Sequence, residues 1–247
     1  MEDSYEIFQD HMKTLSSFLS VNGYENTNPS YDDMEQEEFF DTLRDTFMNN
    51  RELSTNIIDV IGEVKDYRFL LSGIFNHKTE PNKRIFVYFC STINSNMTSS
   101  VQEFLRIFCN FENCKNAVFI TDRDLSSTAK KELNNVEESC TEARTMYNIR
   151  LFTDKTFVDL ANSIYVPKVI KVYNKQEAEQ FCRENRVKES KLLRIIVDDA
   201  LCAFYMASVG NIIELERDTG IESNILKTQR VFRYVANIPY QRKGAKR

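Results

Sequence analysis

At 247 residues and 29.0 kDa the chain is long enough for two small domains, each with a core of its own. With 42% hydrophobic and 28% charged residues, no apolar run near the roughly 20 residues of a membrane span, and an acidic opening unlike a secretory signal, it reads as a soluble intracellular protein. The net charge of −5 is unevenly spread: residues 1–165 carry −11 and residues 166–247 carry +6, so the first part is a poor surface for broad phosphate binding.

Tyr5, Phe8, Met12, Leu15 and Leu19 recur at helical spacing before Asn22-Gly23, which predicts an amphipathic first helix. An acidic, turn-rich loop from Asn26 to Glu38 leads into a second helix, from about Glu37 to Asn49. Three β-like runs come next, Phe69 to Phe75, Ile85 to Cys90 and Ala117 to Thr121. The last two are continuously apolar, as expected of strands buried on both faces. Ser99 to Asn110 reads as a helix, with Val101, Phe104, Leu105 and Phe108 on one face. A further helix from Asp124 to Asn134, a strand at Ile149 to Phe152 and a short helix over residues 153–165 complete an α/β first domain.

Val166-Pro167 is the expected domain boundary, giving domains of residues 1–165 and 166–247. The second domain reads as α+β: a helix from Lys175 to Asn185, then strands at Leu193–Val197, Ile212–Glu216 and Gln229–Val235. Lys188-Glu189-Ser190 falls in a polar turn between helix and strand, where side chains can meet solvent or a partner. Arg194 stands on an otherwise apolar strand, so its charge must reach water or a paired group. Gly210 suits a tight turn with positive φ.

The six cysteines, Cys90, Cys109, Cys114, Cys140, Cys182 and Cys202, form no ligand-spaced pairs, and His11 and His77 stand apart. Reduced, mostly buried thiols are expected, with neither metal nor cofactor. There is no Gly-rich phosphate loop and no histidine set as the base of a hydrolase. Asp59 with Glu63-Val-Lys65 has the residue types of a Mg²⁺-dependent nuclease, in which carboxylates hold the ion and the lysine steadies the phosphate. Their spacing puts Asp59 and Glu63 on one helical face of an apolar stretch, which argues against that reading.

From Val166-Pro167-Lys168 onward the chain resembles the fifth subunit of archaeal and eukaryotic DNA-directed RNA polymerases, the Rpb5 family. The resemblance runs through Arg186-Val-Lys-Glu-Ser-Lys-Leu-Leu-Arg-Ile195, Asp198-Asp199-Ala200, Phe204-Tyr205 and Gly210-Asn-Ile-Ile-Glu-Leu-Glu-Arg217, and ends at Arg233-Tyr234-Val235. It covers residues 166–235 with order and spacing preserved. The family's prolines fall on Leu193 and Ala200, its glycine after Phe/Tyr falls on Met206, and a longer Asp218-to-Arg230 segment replaces its closing turn. Such divergence points to a fast-changing lineage, such as a large DNA virus carrying its own polymerase. More weakly, Arg84 to Cys90, Ala117 to Thr121 and Leu125 to Lys131 follow the family's N-terminal jaw, a nuclease-like α/β domain; Ser127 stands for its proline.

The resemblance implies a non-catalytic subunit that docks on the largest polymerase subunit beside other core subunits, while its jaw lines the downstream duplex DNA channel. Docking would fall to Val166, Pro167, Lys168, Lys188, Glu189, Ser190, Leu192, Arg194 and Arg217. DNA proximity would fall to Ser126, Ser127, Thr128, Lys130 and Lys131, with Ser126 as N-cap of the following helix. No membrane partner is implied, and the expected location is the nucleus of a eukaryotic cell, or the host cell or virion of a virus. A free-standing transcription adaptor that kept the assembly domain is the alternative. The basic tail, Gln241 to Arg247, reads as a solvated end, a localisation signal or a phosphate contact.

Overall fold

The computed structural model describes residues 2–31, 34–62, 67–90, 97–133, 147–218 and 228–237. Glu63, Lys65, Cys140 and the basic tail therefore lie outside the described residues. The chain divides into two compact units, Met1–Val158 and Asp159–Arg247, seven residues before the boundary expected at Val166.

The first unit begins with helices α1 (Glu2–Val21), α2 (Gln36–Asn49) and α3 (Arg51–Ile61), then a 3₁₀ turn (Tyr67–Leu71). Its sheet has the order β1 (Gly73–Asn76), β2 (Arg84–Cys90), β3 (Cys114–Thr121), β4 (Asn148–Thr153). β1 runs antiparallel to β2, and the other pairs are parallel. Helix α4 (Met97–Cys109) crosses from β2 to β3, and α5 begins at residue 127 after β3. Alternation along the strands explains the layering. Phe86 and Tyr88 pack with Phe104 and Phe119 on the α4 side. Phe89 faces the other way, toward His11 and Phe157, where α1 covers the sheet. The continuous apolar runs are thus buried from both sides, as their composition required.

Two expectations need correction. Only the second half of the run Phe69 to Phe75 is a strand. Its first half is the 3₁₀ turn, closed by Ser72 N–H donating to the Phe69 carbonyl, and Ser72 Oγ accepts the Phe89 N–H at 3.0 Å. The helix expected over residues 153–165 is absent: Thr153 ends β4, and residues 154–165 form turns and irregular chain. Thr156 Oγ1 accepts the Thr153 N–H at 2.8 Å, and Asp159 Oδ1 accepts the N–H groups of Ala161 and Asn162. Short polar side chains here satisfy the backbone locally in place of helical bonds.

One buried ionic cluster ties this unit together. Asp154, just past β4, accepts both terminal nitrogens of Arg68 at 2.7 Å, and its Oδ1 lies 3.1 Å from His11 Nε2. The clamp joins α1, the 3₁₀ turn and the C-terminal end of β4. His11 and Arg68 are buried, and a charge so placed needs such a partner.

The second unit holds a sheet of order β5 (Lys168–Tyr173), β7 (Ile212–Asp218), β8 (Thr228–Ala236), β6 (Leu193–Ile196), with α6 (Lys175–Glu184) and α7 (Ala200–Phe204). β6 and β8 are parallel; the other neighbours are antiparallel. β5 and α7 are additions to the elements expected from sequence; Lys168 and Lys171 interrupt the apolar residues of β5, and α7 is barely more than one turn. One sheet face carries Ile213, Leu215 and Val235 against Leu201, Cys202 and Ala207. The other carries Tyr173, Glu214 and Phe232 beneath α6, whose Phe181 ring lies between Tyr173 and Phe232.

Of the five described cysteines none is in a disulfide; Cys90, Cys114 and Cys202 are buried, Cys182 half-buried and Cys109 exposed. Burial pushes the Cys90 and Cys114 thiols up to about 12, so they stay protonated and pack as small apolar groups. Among the described residues no helix is long and apolar enough to cross a membrane.

The clamp makes acid stability testable. Burial alone would push the Asp154 carboxyl up, but hydrogen bonds from His11 and Arg68 and the Arg68 charge hold it at about 2, below its ordinary value of 3.8. A depressed carboxylate contributes stability above its unfolded pKa and loses it as pH falls through the folded one. Urea melts of the chain should therefore lose about 2 kcal/mol between pH 4 and pH 2. Asp154→Asn should remove that slope and lower stability at pH 7 by about 2 kcal/mol or more; an unchanged slope would separate the clamp from acid unfolding.

Candidate functional site

In the second unit, α6 is started by a capping box: Asn174 Oδ1 accepts the Glu177 N–H at 3.0 Å and Glu177 Oε2 accepts the Asn174 N–H at 2.8 Å. The helix ends in a Schellman motif. Arg186 N–H donates to the Arg183 carbonyl and Val187 N–H to the Cys182 carbonyl, with Arg186 at φ 52. That turn sends the chain into the Lys188-Glu189-Ser190 segment, a 3₁₀ turn over Glu189–Lys191. Lys188, Glu189 and Ser190 are all exposed, and Leu192 is half-buried behind them.

β6 then forms one edge of the sheet. Leu193 is 59% exposed, which is unusual for a leucine on a strand, and Arg194 beside it is exposed as well. Arg194 stands opposite Tyr234 of β8. Burial, then the charge and hydrogen bond of Glu189, push the Tyr234 phenol up, while Arg194 acts against them. The turn and the strand thus present Glu189, Arg194 and Tyr234 as one polar group, with Leu193 adjacent.

The remaining docking candidates lie elsewhere. Lys168 opens β5 opposite Glu216, and Arg217 follows on β7; both are exposed, while Val166 and Pro167 are half-buried. β5 and β6 are opposite edges of the four-stranded sheet, separated by three strand spacings, or roughly 14 Å. The expected docking residues therefore form two groups, and a partner touching both must span the sheet.

One constellation escaped the sequence reading. Glu214 is 4% exposed between the core residues Ile213 and Leu215, yet it points to the opposite face. Its Oε2 accepts Tyr173 O–H at 2.8 Å and its Oε1 accepts Arg230 Nη1 at 3.0 Å. Lys171 lies 4.5 Å over the Tyr173 ring and donates to Glu177 at 2.9 Å. The signal was a single acid in an apolar strand; its partners come from strands far away in sequence.

In the first unit Ser126 caps α5, its Oγ accepting the Ala129 N–H at 3.3 Å. Leu125, Ala129 and Leu133 are buried at helical spacing, which turns Ser126, Ser127, Thr128, Lys130 and Lys131 to solvent. Asp122, Asp124 and Glu132 dilute the positive charge there. Asp59 is exposed on α3, not on a strand. Among the described residues no three acidic, histidine or cysteine side chains are grouped to hold a metal.

The sequence of this second unit matches a known family. Residues 158–235 match the family model described as RNA polymerase Rpb5, C-terminal domain. This segment is an Rpb5 C-terminal domain. The match supports an Rpb5-like RNA polymerase subunit. No curated protein matches the chain in a sequence comparison.

The Rpb5 domain shows what divergence has left unrelieved. Met206, where the resemblance expects glycine, has φ 51 and is the left-handed residue of a Schellman motif ending α7: Met206 N–H donates to Ala203 O and Ala207 N–H to Cys202 O. Gly210 nearby has φ 94, the conformation expected of it. Met206→Gly should stabilise the Rpb5 domain by about 1 kcal/mol, whereas Gly210→Ala should destabilise it. Differential scanning calorimetry reads both, and a lower melting temperature for Met206→Gly would show that its side-chain packing outweighs the backbone strain.

Proposed function

We propose that the Rpb5 domain fastens this chain to the largest subunit of a multisubunit DNA-directed RNA polymerase, and that the N-terminal unit serves as a jaw along the downstream DNA. The single observation that carries the reading is the family match over residues 158–235. The exposed segment from Lys188 to Arg194 supports it: Leu193 and Arg194 stand in the open on an edge strand, a placement suited to an interface. The two-group arrangement implies that one partner wraps the sheet or that two polymerase chains share it.

For the jaw, the supporting features are the mixed α/β unit and the exposed patch from Ser126 to Lys131. With the first part of the chain at −11, DNA contact must be local, and Lys130 and Lys131 are its natural carriers. The chain itself supplies docking and positioning; the nucleotidyl-transfer chemistry belongs to the large subunits.

Co-purification with the polymerase tests both halves. Lys188→Ala or Arg194→Ala should weaken assembly, about tenfold for Arg194→Ala if it is a central anchor. Full stoichiometric recovery of both variants would sink the docking assignment, and a wild-type chain found only as a free monomer would favour the adaptor reading. Lys130→Ala combined with Lys131→Ala should leave assembly intact, reduce DNA retention and lower the salt slope of DNA binding by about 2. Loss of assembly in that variant would contradict the division of labour.

A further inference from the structure

The outer edge of β1 is paired along only part of its length. The His77 N–H donates to the Lys83 carbonyl, which fixes the hydrogen-bonding phase of the β1–β2 pair. Phe75 and Gly73 point their backbone groups inward to β2, whereas Asn76 and Ile74 point theirs outward. The outer edge is partly taken: the chain before α2 lies along it, bridging at Tyr24 and His77, with Glu25 N–H donating to Asn76 O at 2.9 Å and Lys78 N–H to Gly23 O at 2.8 Å.

Continued by two residues, this ladder would set Thr27 opposite Ile74. It does not continue. The Asn26 side chain accepts the Asn28 N–H at 3.1 Å, which turns the chain aside, and Pro29 has no N–H to offer. Between the diverted Thr27–Asn28–Pro29 and the Gly73–Ile74–Phe75 edge lies a cavity of about 330 Å³, floored by Met12, Phe47, Leu53 and Leu71. Ile74 is only 8% exposed, and its outward N–H and C=O find no backbone partner among the described residues. A buried donor–acceptor pair spaced as on a strand asks for another strand. No lining residue is ionisable, which disfavours phosphates, nucleic acids and carboxylates.

We propose that this slot binds an extended, uncharged peptide segment of a partner protein, whose backbone takes the place Thr27 vacates opposite Ile74 and whose apolar side chain enters the floor. The site lies wholly within the N-terminal unit and stands independently of the assembly reading.

Titration of the isotope-labelled full chain with blocked Ac-Ala-Val-Ala-NHMe, followed by NMR, tests it. At millimolar peptide the Ile74 amide should move downfield and its hydrogen exchange should slow. Thr27→Trp, which fills the slot from an exposed position, should weaken binding about tenfold without changing the melting temperature. If that variant does not fold, the ligand supplies the control: an ester in place of the amide preceding the valine should bind about fivefold more weakly. No response at Ile74 would overturn the proposal. So would equal affinity of amide and ester, or binding of N-methylacetamide as tight as that of the peptide, which would make the slot a pocket for small amides.

Discussion

Every sheet has two faces, and the need to cover both shapes each unit of this chain. In the first, Phe86 and Tyr88 on one side of β2 and Phe89 on the other are fully buried, so helices must lie on both sides. α4 supplies one cover because a crossover is needed between the parallel strands β2 and β3; α1 supplies the other. The Arg68–Asp154–His11 clamp then fixes α1 to the strand ends and leaves no buried charge alone.

The Rpb5 domain meets the same demand unequally. One face is closed by α7 and a compact aliphatic core. Among the described residues the other is covered by α6, ten residues long, and beneath it the layer is aromatic and ionic, with Phe181, Phe232, Tyr173, Glu214 and Arg230. Here polar atoms are paired and rings lie in between, so the layer is buried without an aliphatic core.

Much of this was legible in the residues, for identifiable reasons. β2 and β3 announced themselves because strands buried on both faces read as unbroken apolar runs, and α1 because its apolar positions keep helical period up to Asn22-Gly23. β5 was hidden, since Lys168 and Lys171 interrupt its apolar positions and a bulge near Ile170 shifts the alternation. Phe69 to Leu71 could not be told from a strand by hydrophobicity alone; the 3₁₀ turn there carries Arg68, whose partner Asp154 is 86 residues away. The residues proposed for docking came from the resemblance alone, and their separation onto two sheet edges follows only from strand order. Glu214 was unreadable for the same reason, because its meaning comes from Tyr173 and Arg230 across the ladder.

Strand order in the Rpb5 domain also carries a kinetic meaning. β7 and β8 have the smallest sequence separation of any paired strands in this sheet, so they can pair early. β5 and β6 join from outside, each held by a single neighbour, and β6 must pair in parallel with a strand that comes much later in the chain. The edges are therefore the last parts to order and the first to open. Lys168 and Arg194 sit on those two edges, so a chain bound at either, as proposed, would raise protection against amide exchange most in the segments that open first.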